Sequence, residues 1–214
     1  MSNKINNKGE VLAWSMYDFA NQPFTNLVVT FIYGTFFTTV IATNEIIGTQ
    51  QWSHAVSITA IIVALLSPLM GALADKGGYR KMFMLIFTWI TIIATTVLYF
   101  VLPGEILKAL FWFVIANIGF EMGSVFCNAY LPDISHSKNI GRVSGYGWSL
   151  GYLGGLIALA LAMLFLVQTD TPIFGFGKGE AGAYENIRAT NLLVAVWFAV
   201  FSIPTFLFVK DHKP

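Results

Sequence analysis

Gly71-Ala72-Leu73-Ala74-Asp75-Lys76-Gly77-Gly78-Tyr79-Arg80-Lys81 is a short charged break between two long apolar stretches. About 20 consecutive apolar residues are needed to cross a hydrocarbon core, and the stretches at about 53–74 and 82–102 meet that length. The break therefore reads as a turn at a membrane surface. Gly71 is expected to permit close helix approach, and Gly77-Gly78 to supply the tight turn. Asp75 falls at a helix end, where it can pair with a base or a helix N-terminus. Arg80 and Lys81 are expected to meet phosphate headgroups. On charge and glycine alone, a topology anchor explains the segment as well as a gate does.

Working outward, four more spans fall at about 11–42, 109–131, 143–167 and 189–209. Of the 214 residues, 56% are hydrophobic and 11% charged, where a soluble domain carries roughly 25% charged residues. The expectation is an all-α membrane protein, a six-transmembrane-helix bundle forming one domain over residues 1–214. A net charge of +1 gives no reason to expect nucleic acid, and a single cysteine, Cys127, excludes a disulfide within the chain. The polar stretch Met1–Glu10 precedes an apolar run too long for a signal-peptide core, so that run reads as a retained first span. Pro23 is expected to bend it.

Lysine and arginine placement sets the orientation. Lys4, Lys8, Lys76, Arg80, Lys81, Lys138, Arg142, Lys210 and Lys213 fall on one side; Lys108, Lys178 and Arg188 fall on the other. The positive-inside rule then puts both termini in the cytoplasm. The longest connection, Gln168 to Arg188, is glycine-rich, lies outside, and has a length at which loops are often mobile.

A charge on a membrane helix is costly unless it faces a cavity or a partner, so Asp18 and Glu121 are functional candidates. In span 4, Asn117, Glu121, Ser124 and Asn128 recur at spacings of four, three and four, which places them on one helical face. Span 1 carries a matching stripe: Trp14, Asp18, Asn21 or Gln22, Thr25 and Asn26. The competing readings are a structural carboxyl at Glu121 and a helix-end anchor at Asp18. If the bundle is two three-helix repeats, spans 1 and 4 are equivalent and line a path, while the apolar spans 3 and 6 face lipid. Span 5 holds Gly145, Gly147, Gly151, Gly154, Gly155 and Ala158, a groove for close helix packing that could also slide. Trp148 and Tyr152 can reach a cavity from it and stack on a substrate.

Gly147-Trp148-Ser149-Leu150-Gly151 satisfies the serine-hydrolase elbow pattern but lies inside an apolar helix, not at a strand-to-helix turn. His54, His136 and His212 all fall at expected surfaces or loops. No enzyme activity, metal or cofactor is expected.

Gly71, Leu73, Asp75, Gly78, Arg80 and Lys81 together resemble the signature loop of the major facilitator superfamily, with Lys76 where an arginine is usual. Trp14-Ser15-Met16-Tyr17-Asp18-Phe19-Ala20-Asn21 narrows the resemblance, as does Phe126-Cys127-Asn128-Ala129-Tyr130-Leu131-Pro132-Asp133 with the glycine run Gly141–Gly155. These are similar to the vacuole-effluxer-like permeases, a branch of that superfamily in bacteria and fungi. The resemblance covers the whole chain but only the six-helix N-terminal half of a twelve-span transporter. It implies secondary-active transport of a small solute by alternating access, with an amino-acid-like substrate as a finer expectation; proton coupling is expected from the mid-span carboxyl of Glu121. It implies a cytoplasmic latch at Asp75, with Asp133 and Arg142 as further gate residues. It also implies a C-terminal six-helix half on the full chain or a second chain. The location implied is the bilayer of a bacterial inner membrane, or of a vacuole in a fungus. Span 4 lacks the superfamily's usual arginine, and Tyr152 stands where the antiporter motif has a proline. The alternative is a non-transporting scaffold or partner-binding bundle.

Overall fold

The computed structural model describes residues 8–210, with the side chains of Asp75, Lys76 and Gly77 excepted. Six helical spans cross the bilayer: Lys8–Ile41, Glu45–Gly77, Arg80–Leu98, Ile106–Asn128, Ile140–Val167 and Glu185–Phe208. No strand occurs among the described residues. Both ends of the described chain lie at one end of the bundle, called here the near end. The turns at 78–79 and 129–139 are there too.

Span 1 changes pitch where proline dictates. The α-helix Lys8–Pro23 passes into a wider π-helix at Phe24–Phe31, breaks at Ile32 and resumes. Proline has no N–H for the carbonyl four residues back. The freed Phe19 carbonyl accepts the Trp197 indole N–H at 3.0 Å, so span 6 supplies the bond that span 1 cannot. The break leaves a second carbonyl, Val29, which accepts from the Trp52 indole at 3.2 Å.

Two spans run longer than expected. Span 2 starts at Glu45 rather than 53, because the Asn44 side chain accepts the Ile47 N–H at 2.9 Å and caps the helix. It ends on Gly78, whose φ of 65° is the left-handed cap that glycine favours. Span 6 starts at Glu185 rather than 189, so Arg188 is a helix residue and not part of a loop. The connection before it, expected to be mobile, is tied down. Lys178 donates to Asp170 and to the Thr169 carbonyl, and the Glu185 carboxylate accepts from the Gly177 N–H and the Tyr99 hydroxyl. Arg188, 8% exposed, donates to the Tyr99 and Ala183 carbonyls. Glu105 closes the far-end turn between spans 3 and 4. Its carboxylate accepts from the Leu102 N–H and the Lys108 ammonium, which hold it below the usual carboxylate range.

The spans pair in a crossed pattern. Span 1 packs on spans 5 and 6, and span 4 packs on spans 2 and 3. Exchanging the first three spans for the last three converts one set of contacts into the other, as two related three-helix units would. The span 1 and span 5 crossing is close because glycines face it. A side chain at Gly154 would strike the Phe19 carbonyl; one at Gly151 would sit 3.3 Å from the Asp18 Cβ. Span 2 is the opposite case. Only 6% of its most apolar window is buried, leaving Ile58, Ile61, Leu65, Leu69 and Leu73 exposed.

Gly154→Val should destabilise the bundle by about 1–3 kcal/mol, the usual cost of overpacking, seen as a lower thermal midpoint in detergent. Gly145→Ala should leave it unchanged, because nothing lies within 4 Å of the added methyl.

Candidate functional site

Each residue turns an α-helix by about 100°, so contacts on two sides of a span locate the face between them. On span 1, Asn21 meets span 4 and Asp18 meets span 5. The Asn21 amide donates to Ser124 Oγ at 3.3 Å, and the Trp14 indole donates to the Cys127 carbonyl at 2.8 Å. Asp18 Oδ2 lies 2.5 Å from where a Gly147 Cβ would be. The sector between these contacts, with Asp18 at its span 5 edge and Thr25 inside it, faces the gap between spans 4 and 5.

The same reasoning orients span 4. Ser124 meets span 1, and Met122 Sδ accepts from Ser67 of span 2 at 3.6 Å. Glu121 and Asn128 fall between those directions and are exposed, whereas Asn117, on the same stripe, is 5% exposed. On span 5, Gly147 and Gly151 face span 1, and Tyr146 and Ser149 line a groove on the side away from span 4. Trp148 and Tyr152 are thereby turned toward the span 4 side. They are 64% and 58% exposed, with ring centroids 5.9 Å apart.

Asp18, Glu121, Asn128, Trp148 and Tyr152 thus share one open polar face. Asp18 is half-buried in mid-helix, with no terminus to cap. Neither Asp18 nor Glu121 has a hydrogen bond or ion pair among the described residues. The two amides that sequence left interchangeable are separated. Asn21 is 3% exposed and ties span 1 to span 4, whereas Gln22 and Asn26 lie half-buried against Gly155 of span 5.

At the near end two of the basic residues, Arg80 and Lys81, are engaged by protein. Arg80 pairs with Asp133 at 2.8 Å and reaches the Ala129 carbonyl at 3.4 Å. Lys81 caps the C-terminal carbonyl of Val209 at 2.7 Å rather than meeting a headgroup. Its role depends on a contact 128 residues away in sequence, which no local pattern signals. Gly71, expected at a close approach, has nothing within 4 Å of its would-be Cβ, because span 2 turns that side outward. Arg142 is exposed and has no ion pair among the described residues. The side chain of Asp75 lies outside the described residues.

Two features were not singled out from sequence. Tyr17 is fully buried, shares a 2.8 Å hydrogen bond with Thr88, and occupies the space a Gly123 side chain would take. Glu10 accepts the Lys210 N–H at 3.1 Å and joins the start of span 1 to the end of span 6. Tyr17 stood in the quoted span 1 motif, but its partner on span 3 did not.

This six-span arrangement is that of half a major facilitator superfamily fold. The family described as vacuole effluxer Atg22 like matches residues 49–214, and the chain belongs to that family. An uncharacterised MFS-type transporter, YxiO of Bacillus subtilis, is 27% identical over 198 residues, covering 90% of this chain and 44% of that protein. Autophagy-related protein 22 of Yarrowia lipolytica is 21% identical, over 75% of this chain and 35% of its own length. An uncharacterised protein of Aquifex aeolicus is 31% identical over 69% of this chain and 36% of its own. The chain spans less than half the length of these curated relatives. No solved structure matches it.

Cysteine reactivity tests the open face, since thiol modification follows exposure. In the full encoded chain, Glu121→Cys and Asn128→Cys should react with a charged thiol reagent about tenfold faster than Asn117→Cys. Native Cys127, 1% exposed, should stay unmodified.

Proposed function

We propose that residues 1–214 act as the N-terminal six-helix domain of a secondary-active solute transporter, with a second six-helix half on the same chain or another. Substrate moves along the face formed by spans 1, 4 and 5, which the second half closes into a path, and the halves rock about a midplane site. The supporting observation is the convergence of Asp18, Glu121, Asn128, Trp148 and Tyr152 on one side of the bundle, with Gln22 and Asn26 packed beside them against Gly155 of span 5. Asn21 and Asn117 brace that face from beneath. Membership in a family described by efflux supports transport as the activity.

The finer reading is proton-coupled movement of an amino-acid-like solute. A carboxylate with no ion-pair partner on the path can take a proton or an ammonium group, and paired aromatic rings favour a cation over their faces. Charge placement supports cytoplasmic termini, and the bacterial relatives favour an inner membrane. The near end then carries the gate: Gly71, Asp75, Gly78, Arg80, Lys81, Asp133 and Arg142, with the Arg80–Asp133 pair bracing the latch loop.

Proteoliposomes holding the full encoded chain, offered a radiolabelled mixture of the twenty amino acids, test this reading. Uptake should follow an imposed pH gradient. Glu121→Gln should reduce gradient-driven uptake about a hundredfold, the low end expected on losing a positioned proton-transfer group, while exchange without a gradient persists. Wild-type uptake indifferent to the gradient, or undiminished gradient-driven uptake by the variant, would overturn proton coupling at Glu121.

A further inference from the structure

The bundle's other flank carries a second constructed surface. Leu12 lies about 120° round span 1 from Asp18, away from the polar face, and is 58% exposed. It forms a ridge between two grooves. One, of about 440 Å³, lies against span 5 and is floored by Val11, Leu12 and Leu150, with Lys8 and Tyr146 beside them. The other, of about 540 Å³, lies against span 6 and is floored by Leu12, Met16, Leu207 and Phe208, with Lys210 at its rim.

Both grooves are mainly apolar, with Ser15 and Ser149 the polar residues of the first, and each carries a lysine toward the near end. Lys8 to Met16 covers about 12 Å along the helix, the depth from a headgroup layer into acyl chains. The ammonium groups of Lys8 and Lys210 meet no acid among the described residues. Glu10 borders the second groove, but it is 8% exposed and its carboxylate is turned to the Lys210 backbone N–H. That bond also brings the two lysines to one level at the bundle's end. Apolar grooves facing a bilayer fill with lipid whatever its headgroup, so only the cations can select among lipids. Basic pockets between membrane helices favour anionic headgroups.

We infer that a two-chain anionic phospholipid docks here, one acyl chain in each groove astride Leu12 and its phosphate between Lys8 and Lys210. The site is separate from the polar face, and the inference does not depend on the transport reading.

The test places the full encoded chain, with a bimane on Leu12→Cys, in phosphatidylcholine nanodiscs and titrates in lipids brominated on their acyl chains. Brominated phosphatidylglycerol should half-quench the bimane at about a tenfold lower mole fraction than brominated phosphatidylethanolamine, about fivefold or less coming from each lysine. Lys8→Gln with Lys210→Gln should equalise the two lipids while leaving full quenching, which also shows that the variant is folded. Lys178→Gln at the far end should keep the preference. Equal half-quenching by the two lipids in the wild-type background would overturn the inference. So would no quenching by either, which would mean that protein, such as the chain beyond residue 214, fills the grooves.

Discussion

The close crossing of spans 1 and 5 is the constraint on which the candidate site depends. Four glycines, Gly147, Gly151, Gly154 and Gly155, let span 5 lie on the backbone and side-chain stems of Asp18, Phe19, Gln22 and Asn26. With larger residues there, span 5 would stand off, and Asp18 would sit in a lipid-accessible gap instead of at the edge of a protein-lined face. Close approach also sets the angular position of Trp148 and Tyr152. Their neighbours at 147 and 151 are fixed against span 1, so both rings must turn to the side.

Satisfying backbone groups in hydrocarbon shapes the rest. Three carbonyls left open by a helix irregularity or a helix end find a donor on another span: Phe19 from Trp197, Val29 from Trp52, Val209 from Lys81. An unpaired polar group in lipid costs several kcal/mol, so these bonds couple irregularities in span 1 to the placement of spans 2 and 6. Pro23 is therefore more than a bend. It creates the acceptor that holds span 6 against span 1. At the near end the same economy engages Arg80 with Asp133 and Lys81 with a helix terminus.

Much of the fold was legible in the chain. Six apolar runs, the Gly78 turn and the polar stripe on span 4 all follow from composition and periodicity, and the family-like motifs agree with the family match. Boundaries were less legible at Asn44 and Glu185, where capping and loop bonds extend helices past their apolar lengths. Within the candidate site, the stripe 117, 121, 124, 128 was visible as a face, but its division was not. Asn117 is buried and Glu121 exposed because neighbouring spans cover one and not the other, and that cover leaves no local mark in sequence. Arg188 and Lys81 looked like surface charges. They became structural donors only because carbonyls from distant segments arrive beside them.

By itself the sequence determined how many times the chain crosses the bilayer, where it turns, and which residues share a helical face. Those are properties of apolar length and of a fixed rotation per residue. Which face meets which was decided only by tertiary structure. Lipid tails are as apolar as leucine, so hydrophobicity drives helices into the membrane without choosing their neighbours. That choice rests on shape and on single hydrogen bonds between remote positions. Trp14 finds the Cys127 carbonyl across 113 residues and Asn21 finds Ser124 across 103, and from those meetings Asp18 and Glu121 come to look out from the same side.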